Sequence, residues 1–98
     1  MVELRWTQQA SADLEAITTF IAMDSPHFAS IFALDVLAAV ERIPEFPHLG
    51  RIVPELHKPT VREIILGNYR IVYRLTEDFA EILTIWHGAR LLDPDRLQ

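Results

Sequence analysis

The stretch Gly67–Arg90, GNYRIVYRLTEDFAEILTIWHGAR, decides the fold. Its first half alternates: Tyr69, Ile71, Tyr73 and Leu75 fall on one face of a strand, and Arg70, Val72 and Arg74 on the other. A turn follows at Thr76–Phe79, and a second strand runs from about Ala80 to His87. Upstream, Gly67-Asn68 is short enough to join Tyr69–Leu75 to a preceding strand, Val61–Leu66, as a hairpin. Two arginines on one sheet face mark it as a surface meant to meet something, not as a second core face. Arg70 and Arg74 are four residues apart, about 13 Å at roughly 3.3 Å per residue in an extended strand. That separation suits an extended acidic partner or a row of phosphates.

Residues 44–60 (PEFPHLGRIVPELHKPT) precede this meander with four prolines and a glycine, and read as an irregular surface connection. Before them come two helices. Thr7 supplies an N-cap oxygen to a helix reaching about Met23, with Ala10, Leu14, Ile17 and Ile21 at helical spacing and Phe20 widening the stripe. Asp24-Ser25-Pro26 breaks it: Ser25 caps the next helix and Pro26 suits its first position. That helix runs to about Ile43, with Ala29, Phe32, Val36, Val40 and Ile43 on one face, and Pro44 and Pro47 stop it. So short a break folds the pair into an antiparallel hairpin. Val2–Trp6 (VELRW) alternates as a short first strand. The expected architecture is α+β: an N-terminal strand, then an antiparallel helical hairpin packed on an antiparallel three-stranded C-terminal meander, whose other face stays partly open.

Ninety-eight residues allow one domain, taken as 1–98, and half of them are apolar, leaving apolar surface for a partner. The absence of cysteine excludes disulfides and thiolate chemistry. Without a long apolar run or a basic-apolar leader, the chain reads as cytoplasmic, with no membrane partner. The net charge of −5 is uneven: residues 1–49 hold two basic side chains (Arg5, Arg42) against seven acidic ones. Residues 51–74 are locally basic, with Arg51, Lys58, Arg62, Arg70 and Arg74 against Glu55 and Glu63. An acidic body is poorly suited to general nucleic-acid binding, and a local basic patch on it points to one defined acidic partner.

No segment matches a phosphate-cradling glycine loop or a nucleophile elbow. His27, His48, His57 and His87 share no ligand spacing, so neither a metal nor another cofactor is expected. His87-Gly88-Ala89-Arg90 closes the last strand, and there His87 and Arg90 stand beside the arginine face as candidates for a site. Trp6, Trp86 and the tyrosines read as packing residues.

Four segments in order resemble the ParE branch of the RelE/ParE toxin superfamily: WTQQASADLEAITTFIA from Trp6, ERIPEFPHLGR from Glu41, VREIILGNYRIVYR from Val61 and IWHGAR from Ile85. The resemblance implies a type II toxin, of the kind found in plasmid stabilisation systems, silenced by a cognate ParD-like antitoxin in a hetero-oligomer. ParE-like members are described as inhibitors of DNA gyrase that block replication, and RelE-like members as ribosome-dependent mRNA endoribonucleases. Fold does not choose between them.

The residues lean toward the first. Cleavage at the 2′-hydroxyl needs a base, an acid and cations. Arg70, His87 and Arg90 would be the catalytic set of a nuclease, but the family's late tyrosine has no counterpart after Tyr73. The reading is therefore a gyrase inhibitor that acts by binding, with no catalytic residue. Arg62, Arg70 and Arg74 are assigned to antitoxin binding, and Arg90 and His87 to the target. The antitoxin would fold a disordered segment into a groove between hairpin and sheet. A homologue that binds an antitoxin without being toxic is the third possibility.

Overall fold

Thr7 joins the first strand to the first helix and ties both to the far end of the chain. It follows β1 (Glu3–Trp6) and caps α1 (Gln8–Asp24), its hydroxyl accepting from the Ala10 N–H at 3.0 Å. The same hydroxyl lies 2.9 Å from the Ile82 carbonyl, to which it donates. Ser25 ends α1 and begins α2 (Pro26–Val40), accepting from the Phe28 N–H while its own N–H donates to Ile21. The computed structural model describes residues 1–88.

Four further strands follow: β2 (Arg51–Ile52), β3 (Val61–Leu66), β4 (Tyr69–Leu75) and β5 (Phe79–His87). They form one mixed sheet with β1, in the order β1-β5-β4-β3-β2. The three-stranded meander is there as expected, and at its tight turn Gly67 takes φ +58°, a left-handed value that glycine adopts at no steric cost. Two strands extend it. β1 pairs parallel with β5, with Leu4 opposite Ala80 and Trp6 opposite Ile82, and everything from α1 to β4 lies between the two strands in the chain. β2 pairs antiparallel with β3 inside the segment expected to be irregular. A bulge shifts the β4–β5 register between Val72 and Tyr73, leaving Leu83 without an opposite residue.

The main core lies between the helices and the sheet. Ala10, Val36, Val40 and Ile43 meet Ile71, Tyr73, Ala80, Ile82 and Ile85, all buried. Regular helix ends at Val40, three residues early, but the turn beyond it still delivers Ile43 to the core at 0% exposure. Phe20 does not widen the buried stripe. At 100° per residue it falls about 90° from the centre of the Ala10–Ile21 stripe, and it is 67% exposed. A second, smaller core covers the other face of the sheet, where Val53 and Leu56 of the connection pack on Val61, Val72, Leu83 and Trp86. That face was expected to be partly open. The connection closes over it instead.

Candidate functional site

The register of β3 and β4 sets Glu63 opposite Val72 and Ile65 opposite Arg70, all on the face away from the helices. Arg51 of β2 lies opposite Glu63 on the other side. One fully buried carboxylate therefore stands between two arginines. The Arg70 Nε donates to Glu63 Oε1 at 2.5 Å and the Arg51 Nε to Glu63 Oε2 at 2.6 Å. Glu55, carried back over the sheet by the connection, takes the far side of Arg70: Nη1 and Nη2 donate to its two oxygens at 2.7 and 2.8 Å. This is the two-point fork that arginine and carboxylate geometries favour.

Arg70 is thus not the exposed cation that strand alternation implied. Its side chain keeps 7% of its surface, and all three guanidinium nitrogens are engaged. The bonds to Glu55, and then those to Glu63, hold its pKa above the ordinary arginine value against the opposing effect of burial. Buried charges persist only when paired in this way, and removing one partner of such a pair costs about 3–5 kcal/mol. Among the described residues no buried side-chain polar atom lacks a partner.

The connection is also held from the helix-facing side. Tyr73 points into the main core, and its hydroxyl donates to the Pro47 carbonyl at 2.8 Å while accepting from the Gly50 N–H at 2.8 Å. Burial, partly offset by the Gly50 bond, raises the phenol pKa. Arg62 is opposite Tyr73, on the face opposite to Arg70. Its guanidinium donates to the carbonyls of Gly50 and Pro59. The arginines expected to form one strip are therefore divided. Arg62 braces the connection, Arg70 is buried in an ion pair, and Arg74 sits half-buried opposite Val61 and Glu81.

A cavity of about 330 Å³ opens at the Arg70 end, lined by Arg51, Glu55, Asn68, Arg70 and His87 among others. His87, at the end of β5, rests edge-on against Tyr69 with 5.4 Å between ring centres. The structure so brings together His87 and Arg70 of the residues expected to form a site, and adds Arg51, which in the sequence is one of several basic residues of 51–74. Its pairing with Glu63 is long-range and left no local signal. Arg90 lies outside the described residues. Behind His87 a wider groove of about 550 Å³ runs between α1 and the sheet, lined by Ile17, Phe20, Tyr69, Ile85 and Trp86. On the helical hairpin Met23, Phe28 and Leu34 are well exposed. Among the described residues no group of three or more His, Asp or Glu is placed to hold a metal ion, and no helix is long and apolar enough to cross a membrane.

Residues 4–92 match the family model described as ParE toxin of type II toxin-antitoxin system, parDE. The chain belongs to that family. Among curated relatives it is 35% identical over 92 residues to "Toxin RelE2" of Caulobacter vibrioides, covering 93% of this chain and all of the other. It is 37% identical over 87 residues to "Putative toxin Y4kP" of Sinorhizobium fredii, covering 87% and 86% of the two chains. A chain of the chromosomal ParDE system from P. aeruginosa superposes with a TM-score of 0.73 at 27% identity, covering 89% of this chain and 96% of its own. A chain of the toxin–antitoxin complex RelBE2 from Mycobacterium tuberculosis shares the fold, with a TM-score of 0.61 at 19% identity over 88% of this chain and 96% of its own.

Proposed function

We propose that this type II toxin inhibits DNA gyrase by binding it, blocks replication in the cytoplasm, and is neutralised by a ParD-like antitoxin. The observation that carries the choice of gyrase over RNA is the commitment of Arg70. A nuclease needs a cation ready to meet charge developing on phosphorus. Here the sheet arginine is bonded through all three nitrogens to Glu55 and Glu63, whose carboxylates place negative charge where a phosphodiester would approach. Neither tyrosine replaces the missing acid or base: Tyr69 packs against Phe32 and His87, and the Tyr73 hydroxyl is enclosed by Gly50 and Pro47. The net charge of −5 further opposes docking on the ribosome's phosphate surface.

The groove between α1 and the sheet supports the antitoxin part of the reading. Its apolar and aromatic lining fits an amphipathic helix laid along the exposed Phe20 edge of the hairpin. A partner that folds on contact would cover it.

The test is plasmid supercoiling by gyrase with antitoxin-free protein, beside a translation extract programmed with a defined mRNA. Inhibited supercoiling with intact mRNA is expected. Ribosome-dependent cuts with unaffected gyrase would overturn the reading, and inactivity in both assays would mark a binding-only homologue.

A further inference from the structure

Glu63 holds two arginines in the same way, and among the described residues one of them, Arg70, carries a second carboxylate. Both are gripped through Nε by its two oxygens, which turns the terminal nitrogens of each outward. On Arg70 those terminal nitrogens carry the Glu55 carboxylate in a two-point fork. On Arg51 they make no hydrogen bond or ion pair with any described residue, and the side chain is 60% exposed at the mouth of the 330 Å³ cavity. Across one shared buried anchor, then, one guanidinium holds a carboxylate and the other, among the described residues, holds none beyond Glu63.

We propose that Arg51 is a carboxylate-binding residue that receives one acidic side chain of a polypeptide partner, with Glu63 positioning it. This rests on the reading above, in which the chain meets a protein antitoxin, and names a contact for it. Three observations select a peptide carboxylate. The Glu55–Arg70 fork shows the carboxylate geometry that a guanidinium held through Nε offers. Ile65, 51% exposed, lies opposite Arg70 and lines the same cavity, giving the site an apolar shoulder that suits an acidic residue flanked by an apolar one. Glu55 lines the same cavity and the chain carries −5 overall, which disfavours a continuous run of phosphates.

The experiment is a nuclear magnetic resonance titration of the full ¹⁵N-labelled chain with N-acetyl-glutamate methylamide, and separately with inorganic phosphate. The glutamate derivative should produce saturable shifts at the Arg51 Nε and at the backbone amides of Arg51, Gly67 and Asn68. Arg51→Gln should raise the apparent Kd at least about tenfold, and Arg51→Lys, which keeps the charge but loses the planar fork, about threefold. Unchanged helix resonances in both variants report an intact fold. Absence of a saturable shift, an unchanged Kd in Arg51→Gln, or equal or tighter binding of phosphate would each overturn the proposal. No arm uses gyrase, mRNA or an antitoxin, so failure here leaves the toxin reading to its own assays.

Discussion

The Gly50 N–H donates to the Tyr73 hydroxyl at 2.8 Å, joining the backbone of the connection to the central strand of the sheet. The approach is so close that no side chain fits. A Cβ at Gly50 would stand 2.6 Å from the Glu63 carbonyl oxygen and 2.8 Å from the Tyr73 ring. Both contacts belong to β3 and β4, whose backbone and core packing leave little room to yield. Gly50→Ala should therefore destabilise the fold by about 1–3 kcal/mol, as overpacking does elsewhere. Urea unfolding followed by circular dichroism measures it, and a loss under half a kcal/mol would show that the connection moves aside freely.

Tyr73 also makes stability depend on pH. Its folded pKa is raised by burial, so the folded state keeps its phenol proton longer than the unfolded chain does. The stabilisation is full below the unfolded value of about 10, and falls as pH rises through the higher folded value. From about pH 10 up to that folded value, wild type should lose stability more steeply than Tyr73→Phe, compared by urea midpoints across the alkaline range. Parallel curves would show that Tyr73 carries no such linkage.

Arg70→Ala should act on folding before it acts on any partner. It leaves Glu63, at 0% side-chain exposure, with Arg51 and removes the guanidinium fork from Glu55. A loss of about 3–5 kcal/mol is expected from breaking a buried pair on one side. Thermal unfolding reads this directly. Replacing Arg70 and Glu63 together by apolar residues of similar volume should recover much of the loss, since paired buried charges often trade evenly against hydrophobic packing.

Thr7→Ala removes a cap and a long-range tie together. The hydroxyl accepts from Ala10 and donates to the Ile82 carbonyl beside the bulge, so α1 and the β1–β5 edge should both loosen. About 1–2 kcal/mol is expected, at the upper end for an N-cap. Amide hydrogen exchange should quicken in the first turn of α1 and in β5. Faster exchange confined to α1 would reduce Thr7 to an ordinary cap.

Local chemistry written in the chain accounts for most of the elements. Thr7 and Ser25-Pro26 start their helices by supplying an acceptor to orphan N–H groups, and Gly67 turns the hairpin because it tolerates positive φ. Alternation in Tyr69–Leu75 correctly separated its two faces. The family was legible too, because four short segments keep their order along the chain.

What alternation could not convey is what covers each face. Arg70, Val72 and Arg74 read as a surface because two of the three are charged, yet the connection returns with Val53, Leu56 and Glu55 to bury Val72 and neutralise Arg70. That outcome depends on pairings 7 to 15 residues apart in sequence, Glu63 with Arg70 and Glu55 with Arg70. It also depends on Tyr73 holding Gly50 from 23 residues away. The sequence by itself determined the two helices, β1, the three-stranded meander and its turns, since capping, periodicity and φ preference are local, whereas β2 formed only through its pairing with β3. Only the tertiary structure decided which charges face solvent, because a charge is buried or exposed by whatever chain folds over it.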